Sequence, residues 1–328
     1  MRVVLLLYSR TFLARNRVEK ALPGLKGKDI LTLGELSGKD INLVLKRSLI
    51  LSRQKRPPQR LRGKTVAMIF QKPSTRTRAS FETAVSDLGG HAMNFSWNEM
   101  QLGRGETISD TAKVLDRYVD AIMARVFAHS DLEELAEQAD APVINGLSDS
   151  YHPCQTLADL HTLLQYKRKL KGLTLAYIGD GNNVCNSLLI GCAKTGVNMR
   201  VARPVGFGPD SEAVKSAEEA ASETGSEVKI LEDPEQAVAG ADAVYTDTFV
   251  SMGMEKDKQE RLSTFIPKYQ VNTALFFKAK PDAIFLHCLP AHRGEEVTAE
   301  VIDGPRSAVW DEAENRLHTS KAILSLIL

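Results

Sequence analysis

The chain has 328 residues, enough for two domains of ordinary size, each with its own core. Hydrophobic residues at 43% and charged residues at 25% argue against a disordered or fibrous chain. With 42 Lys and Arg against 41 Asp and Glu, the net charge is +1, so no global field collects nucleic acid or an anionic membrane, and any anion site has to be local.

The first 18 residues carry four arginines (Arg2, Arg10, Arg15, Arg17) and no acid, and their longest apolar run, Val3 to Tyr8, is far short of the roughly 20 residues that span a bilayer. Residues 1–26 therefore read as an N-terminal extension, either of a cytoplasmic protein or, since organelle transit peptides share this bias, of one bound for the mitochondrial matrix. From Asp29 the pattern becomes regular. A helix is expected over Gly38 to Arg53, a basic proline-broken loop to Arg62, a strand over Thr65 to Phe70, and a helix over Ser80 to Leu88 that ends at Gly89 and Gly90. Ala121 to Phe127 then reads as a strand, Asp131 to Ala139 as an acidic-faced helix and Pro142 to Asn145 as a short strand. Ala158 to Leu170 reads as a helix, after which Leu173 to Ile178 opens a second series of the same kind. That series runs through Asn198 to Ala202, Ser211 to Thr224, Val228 to Leu231, Ala243 to Thr246 and Ala283 to Leu286. The alternation predicts an α/β protein of two domains, 27–165 and 166–311, each a parallel sheet flanked by helices. The apolar tail Ala322 to Leu328 is expected to be helical and to dock on something.

Cys154, Cys185, Cys192 and Cys288 show no CxxC spacing and are sparse for the length, which argues against a disulfide framework or a structural zinc site and suits a reducing compartment. The run Pro73-Ser74-Thr75-Arg76-Thr77-Arg78 falls between a strand and a helix, at the carboxyl edge of a parallel sheet where α/β proteins place ligands. Unpaired N–H groups at a helix start, flanked by hydroxyls and a guanidinium, can wrap a phosphate. Read alone, the same residues also suit a simple helix cap with arginines in solvent.

Four further segments bear on the choice: Ala124-Arg125-Val126-Phe127, His152-Pro153-Cys154-Gln155, His287-Cys288-Leu289-Pro290 and Glu314-Asn315-Arg316. With Ser74 to Thr77 they make the chain, from about Lys26 to its end, resemble the aspartate and ornithine carbamoyltransferase family. The resemblance implies that Ser74, Thr75, Arg76 and Thr77 hold the phosphate of carbamoyl phosphate, that Gln101 reaches the phosphate of a neighbouring subunit, and that Arg125, His152 and Gln155 hold the carbamoyl group. Donors aimed at the carbamoyl oxygen would lower the barrier as charge builds there. Cys288 would lie beside the reacting amine, the Leu289 carbonyl would orient the carbamoyl nitrogen, and Arg316 would contact carbamoyl phosphate from a C-terminal helix, 312–328, that completes the first domain.

An amino-acid acceptor needs a carboxylate for its α-ammonium and donors for its α-carboxylate. Asp247, Ser251, Met252 and Asn183 supply that set and match the ornithine branch, in which the Asp and Ser hold the ammonium. The Ser251-Met252-Gly253 segment separates this reading from aspartate, N-acetylornithine and putrescine acceptors. Because a free alkylamine is mostly protonated near neutral pH, Cys288 and Asp247 are expected to position it and help it lose its proton. The resemblance implies no metal or organic cofactor and a homotrimer, or multiple of trimers, with shared active sites. His292 and Arg293 suit the bacterial and archaeal form of their loop. Two rivals stand beside this reading. One is a nicotinamide-dependent oxidoreductase, suggested by Gly179-Asp180-Gly181 after an apolar strand, although Val184 occupies the third glycine position and no phosphate-reading helix start clearly follows. The other is a noncatalytic binding subunit of the same family.

Overall fold

The computed structural model describes residues 24–328 apart from 252 and 254, so nearly all of the N-terminal extension, and Met252, lie outside the described residues. The first unit contains α1 (Gly38–Ser52), β1 (Thr65–Phe70), α2 (Thr75–Asp87), β2 (His91–Ser96), α3 (Ile108–Leu115), β3 (Ala121–Arg125), α4 (His129–Gln138), β4 (Val143–Leu147) and α5 (Pro153–Lys167). The second contains β5 (Thr174–Ile178), α6 (Asn183–Thr195), β6 (Asn198–Ala202), α7 (Ser211–Thr224), β7 (Val228–Leu231), α8 (Pro234–Val238), β8 (Ala243–Thr246), α9 (Lys258–Phe265), α10 (Thr273–Phe276), β9 (Ile284–Leu286) and α11 (Ala299–Ile302). The final helix, α12 (Val309–Ile327), returns to pack on α1, α2 and α5 of the first unit.

Both sheets are parallel, with orders β2-β1-β3-β4 and β7-β6-β5-β8-β9. Their central strands are buried along nearly their whole length, as strands covered on both faces by helices must be. This is the α/β architecture of two helix-flanked parallel sheets that the alternation predicted. In each sheet the strand order reverses direction once, between β1 and β3 and between β5 and β8. Adjacent loops diverge at such a point and leave a crevice at the carboxyl ends of the strands.

One apolar core runs from Val66 and Met68 of the first sheet, through Leu157 and Leu160 of α5 and Ile323 of α12, to Leu175, Tyr177 and Leu286 of the second. Separate layers cover the outer faces, around Ile122 and Leu132 on one side and Val244 and Phe285 on the other. Every residue of α5 from Pro153 to Leu163 is buried, which places polar Gln155, Asp159 and His161 inside the molecule. Among the described residues, no helix is long and apolar enough to cross a membrane.

Some segments depart from expectation. Strand β2 and helix α3 were not anticipated: β2 is an edge strand whose residues are half-buried or exposed, so it shows no clean alternation. A helix starts directly after Gly179-Asp180-Gly181, and its first N–H groups, from Val184 and Cys185, are taken up by the Asn182 side chain. A Cβ on Gly181 would lie 2.1 Å from Pro209 N and 2.2 Å from Gly208 C. The small residue there serves a close approach of the chain to itself, where the dinucleotide fingerprint uses it to admit a pyrophosphate.

Candidate active site

The first crevice forms where β1 and β3 end. Ser74 is the N-cap of α2, its hydroxyl accepting from the Thr77 N–H at 3.2 Å. Capping and anion binding are therefore not alternatives, because the cap is what holds this helix start at the sheet edge. Arg76 turns inward and donates to the Leu289 carbonyl at 2.5 Å, while Arg78 is exposed and lies over the Phe70 ring. A cavity of about 620 Å3 beside the same turn is lined by Lys72, Ser74, Thr75, Arg78, Glu82 and Asn98. Lys72 was not singled out from sequence. It is buried with its ammonium 4.3 Å over the Phe127 ring, and burial and then Arg125 lower its proton affinity.

Deeper in, Arg316 reaches from α12 and donates to Thr77 Oγ1 at 3.1 Å and to Gln155 Oε1 at 2.5 Å. Arg125 ends β3 at an irregularity in the β3–β4 pairing. Burial, followed by Arg316 and Arg76, lowers its pKa to about 10, which still leaves it cationic at neutral pH. His152 is the N-cap residue of α5, held by its backbone N–H on Ser187 Oγ at 2.7 Å. Burial and the three arginines hold its imidazole well below the usual range, so it is neutral. Arg125 Nε, His152 Nδ1 and Arg316 Nε are buried with no hydrogen-bond partner among the described residues. Three guanidiniums beside buried, unpaired polar atoms suit this end to an anion.

The second crevice forms where β5 and β8 end. Asp247 follows β8 and accepts from Asn182 Nδ2 at 2.7 Å, from the Thr248 N–H at 2.8 Å and from Cys288 Sγ at 3.0 Å. Burial and then Asp247 push the Cys288 thiol well above its ordinary range, so it is a protonated donor. Asn183 donates to the Ser148 carbonyl at 2.6 Å, tying α6 to the loop after β4. Asn182, which touches Asp247 directly, was missed from sequence. Ser251 is half-buried nearby in sequence, beyond β8. Gln101 stands apart on the short 3-10 helix Gln101–Arg104, with its side chain exposed.

The two crevices meet at the loop after β9. Leu289 has φ 58, a left-handed conformation that a leucine rarely adopts. Its N–H donates to His287 Nδ1 at 2.9 Å and its carbonyl accepts from Arg76. Because Nδ1 accepts, Nε2 carries the proton and donates to buried Glu296 at 3.2 Å. Asp247, His287 and Cys288 bring possible metal ligand atoms within 4.8 Å of one another. Both His287 nitrogens are already engaged, however, which leaves the ring no lone pair for an ion.

Two facing α/β units with an arginine-rich crevice against a carboxylate–thiol crevice define a group-transfer architecture, and residues 28–165 and 171–327 match, respectively, the carbamoyl-P binding domain and the Asp/Orn binding domain of aspartate/ornithine carbamoyltransferase. The chain belongs to the aspartate/ornithine carbamoyltransferase family. It is 58% identical over 304 residues to the ornithine carbamoyltransferase of Bacillus subtilis, covering 93% of this chain and 95% of that protein. It is 54% identical over 307 residues to that of Pyrococcus horikoshii, covering 93% and 96%. The solved ornithine carbamoyltransferase of Pyrococcus furiosus matches with a TM-score of 0.90 at 52% identity, covering 93% of this chain and 98% of that one.

Proposed function

We propose that this protein transfers the carbamoyl group of carbamoyl phosphate to the side-chain amine of L-ornithine, giving L-citrulline and phosphate. One observation carries the reading: Arg76, at the anion crevice, donates to the Leu289 carbonyl, adjacent to the Cys288 thiol that donates to Asp247. The phosphate receptor and the amine receptor thus share an edge of two residues, as a direct transfer between their ligands requires.

In this reading residues 27–165, completed by α12, hold carbamoyl phosphate, and residues 166–311 hold ornithine. Ser74, Thr75, Arg76, Thr77 and Arg316 take the phosphate. Arg125, His152 and Gln155 take the carbamoyl group, with neutral His152 acting as a hydrogen-bond partner. Asp247 and Ser251 hold the α-ammonium, and Asn183 with Met252 holds the α-carboxylate. The amine lone pair forms the new N–C bond, and the C–O bond to phosphate breaks with its electron pair leaving on phosphate. The amine proton passes to the departing phosphate oxygen as the bond forms, so that hydrogen phosphate leaves. Charge gathering on the carbamoyl oxygen meets Arg125 and Thr77, where each well-aimed donor is worth about 10²–10³ in rate. Exposed Gln101 suits a residue offered to a neighbouring subunit's site in a homotrimer. Relatives of bacterial and archaeal origin support a cytoplasmic enzyme of arginine biosynthesis, one of them being named anabolic.

The test is citrulline formation and phosphate release by purified protein with carbamoyl phosphate and L-ornithine, L-aspartate, N-acetyl-L-ornithine or putrescine offered separately. Turnover with ornithine alone is expected. Preference for another acceptor would overturn the acceptor assignment, and no turnover with any would favour a noncatalytic relative.

A further inference from the structure

Glu312 lies one helical turn before Arg316 on α12 and is completely buried. No role in the transfer described above uses it. Its Oε1 accepts from Gln155 Nε2 at 2.9 Å and from the Tyr245 hydroxyl at 3.3 Å, and its Oε2 accepts from the His287 N–H at 2.9 Å. These donors come from α5, from β8 and from the residue after β9, so one carboxylate gathers both units of the molecule.

The two ends of a glutamine amide have nearly the same shape and opposite hydrogen-bonding character, so neighbours alone decide which way it points. Gln155 Nε2 has two hydrogens, one given to Glu312 and the other to Asp159 Oδ1 at 2.8 Å. That leaves Oε1 facing Arg316 Nη1. The flipped amide would set oxygen against carboxyl oxygens and N–H against guanidinium. Arg316, so held, donates its other nitrogen to Thr77 Oγ1. Asp159 and Glu312 are both buried, and burial together with the charge of Glu312 holds the Asp159 carboxyl well above the usual range. Burial raises the Glu312 carboxyl as well, so the two titrate as a pair.

We propose that Glu312 is a positioning residue for the anion crevice: by accepting from Gln155 and from the His287 N–H, it sets the Gln155 amide to hold Arg316 and Thr77, and anchors the strand end that carries Cys288. It acts through Gln155 and does not touch substrate. The hydrogen-bond argument is independent of the reaction, and only the identity of the anion rests on the function proposed above.

The experiment is calorimetric titration of the full chain with inorganic phosphate and with carbamoyl phosphate, alongside the citrulline assay. Four proteins are compared: the parent, Glu312→Gln, Gln155→Met and the double variant. Glu312→Gln puts a donor where three donors already converge, so its dissociation constant for both anions should rise at least tenfold. In the Gln155→Met background the same change should cost less than a further twofold, since the amide it orients is gone. Glu312→Asp keeps the charge and withdraws the acceptor from Gln155; it should also weaken anion binding, and it serves if the glutamine variant does not fold. Unchanged affinity in a folded Glu312 variant, or fully additive losses in the double variant, would overturn the proposal. A parent that binds phosphate yet forms no citrulline would defeat the proposed reaction and leave this inference open to the same titrations.

Discussion

The thiol of Cys288 is the most informative single group. A cysteine in a transferase invites the idea of a nucleophile, yet burial and the Asp247 carboxylate keep it protonated, and its hydrogen points at Asp247 Oδ1. It therefore orients the carboxylate that is proposed to receive the amino acid. Cys288→Ala removes one hydrogen bond to a charged group, worth about 1.5 kcal/mol, so kcat/KM for ornithine should fall roughly tenfold. The KM for carbamoyl phosphate should stay within about threefold, both read by steady-state assay. An unchanged ornithine constant would place the thiol away from the amine. The types of these residues were legible in the sequence: HCLP, HPCQ and STRT all lie where the motifs put them. Their partners were not. Asn182, Lys72 and Glu312 belong to no motif that was read, and each acquires its place through contacts with residues 55 to 157 positions away.

Among elements, the strands were the most legible. Asn198–Ala202, Val228–Leu231 and Ala243–Thr246 fall as the apolar runs predicted: covered strand β8 must be apolar on both faces, and edge strand β7, though only half-buried, still has three apolar residues in four. Edge strand β2 escaped, since a half-exposed strand needs no such run. Helix α5 started five residues earlier than its leucine spacing suggested, with Pro153 in its first turn. Polar residues buried along it have partners on α1 and α12. Ser48 Oγ donates to the Leu45 carbonyl, so the His161 Nδ1 in contact with it carries a proton and donates. Burial and then His318 lower the His161 pKa to about 4. Below the unfolded value of about 6.5 the unfolded chain takes up a proton that the folded imidazole refuses, so this histidine's stabilisation is present at neutral pH and is lost as pH falls toward 4. The slope is about 1.4 kcal/mol per pH unit. His161→Asn should therefore be less stable than the parent at pH 7.5, with the gap narrowing by roughly 2 kcal/mol by pH 5 in urea unfolding. A constant gap would show that the ring is not held neutral.

For the whole molecule, the apolar core is continuous from the first sheet through α5 and α12 to the second. Polar ties reinforce it: buried Glu312 reaches Tyr245 and His287, and half-buried Lys194 of α6 donates to the Leu36 carbonyl at 2.6 Å. Two units joined by an exposed linker would unfold separately, whereas a shared core couples them. Thermal unfolding followed by far-ultraviolet circular dichroism and by tryptophan fluorescence should give one coincident transition. Two resolved transitions would show that the units are independently stable.

The amino-acid sequence by itself determined the class of fold, the presence of two sheets and the residue types of the two receptors, because periodicity and short motifs are local properties of the chain. Only the tertiary structure decided that the strand orders reverse beside Arg125 and Asp247, that Arg316 donates to Thr77 and Gln155, and that Arg76 joins the two crevices at Leu289. Those relations span up to 239 positions of chain and exist only after the core has brought its elements together.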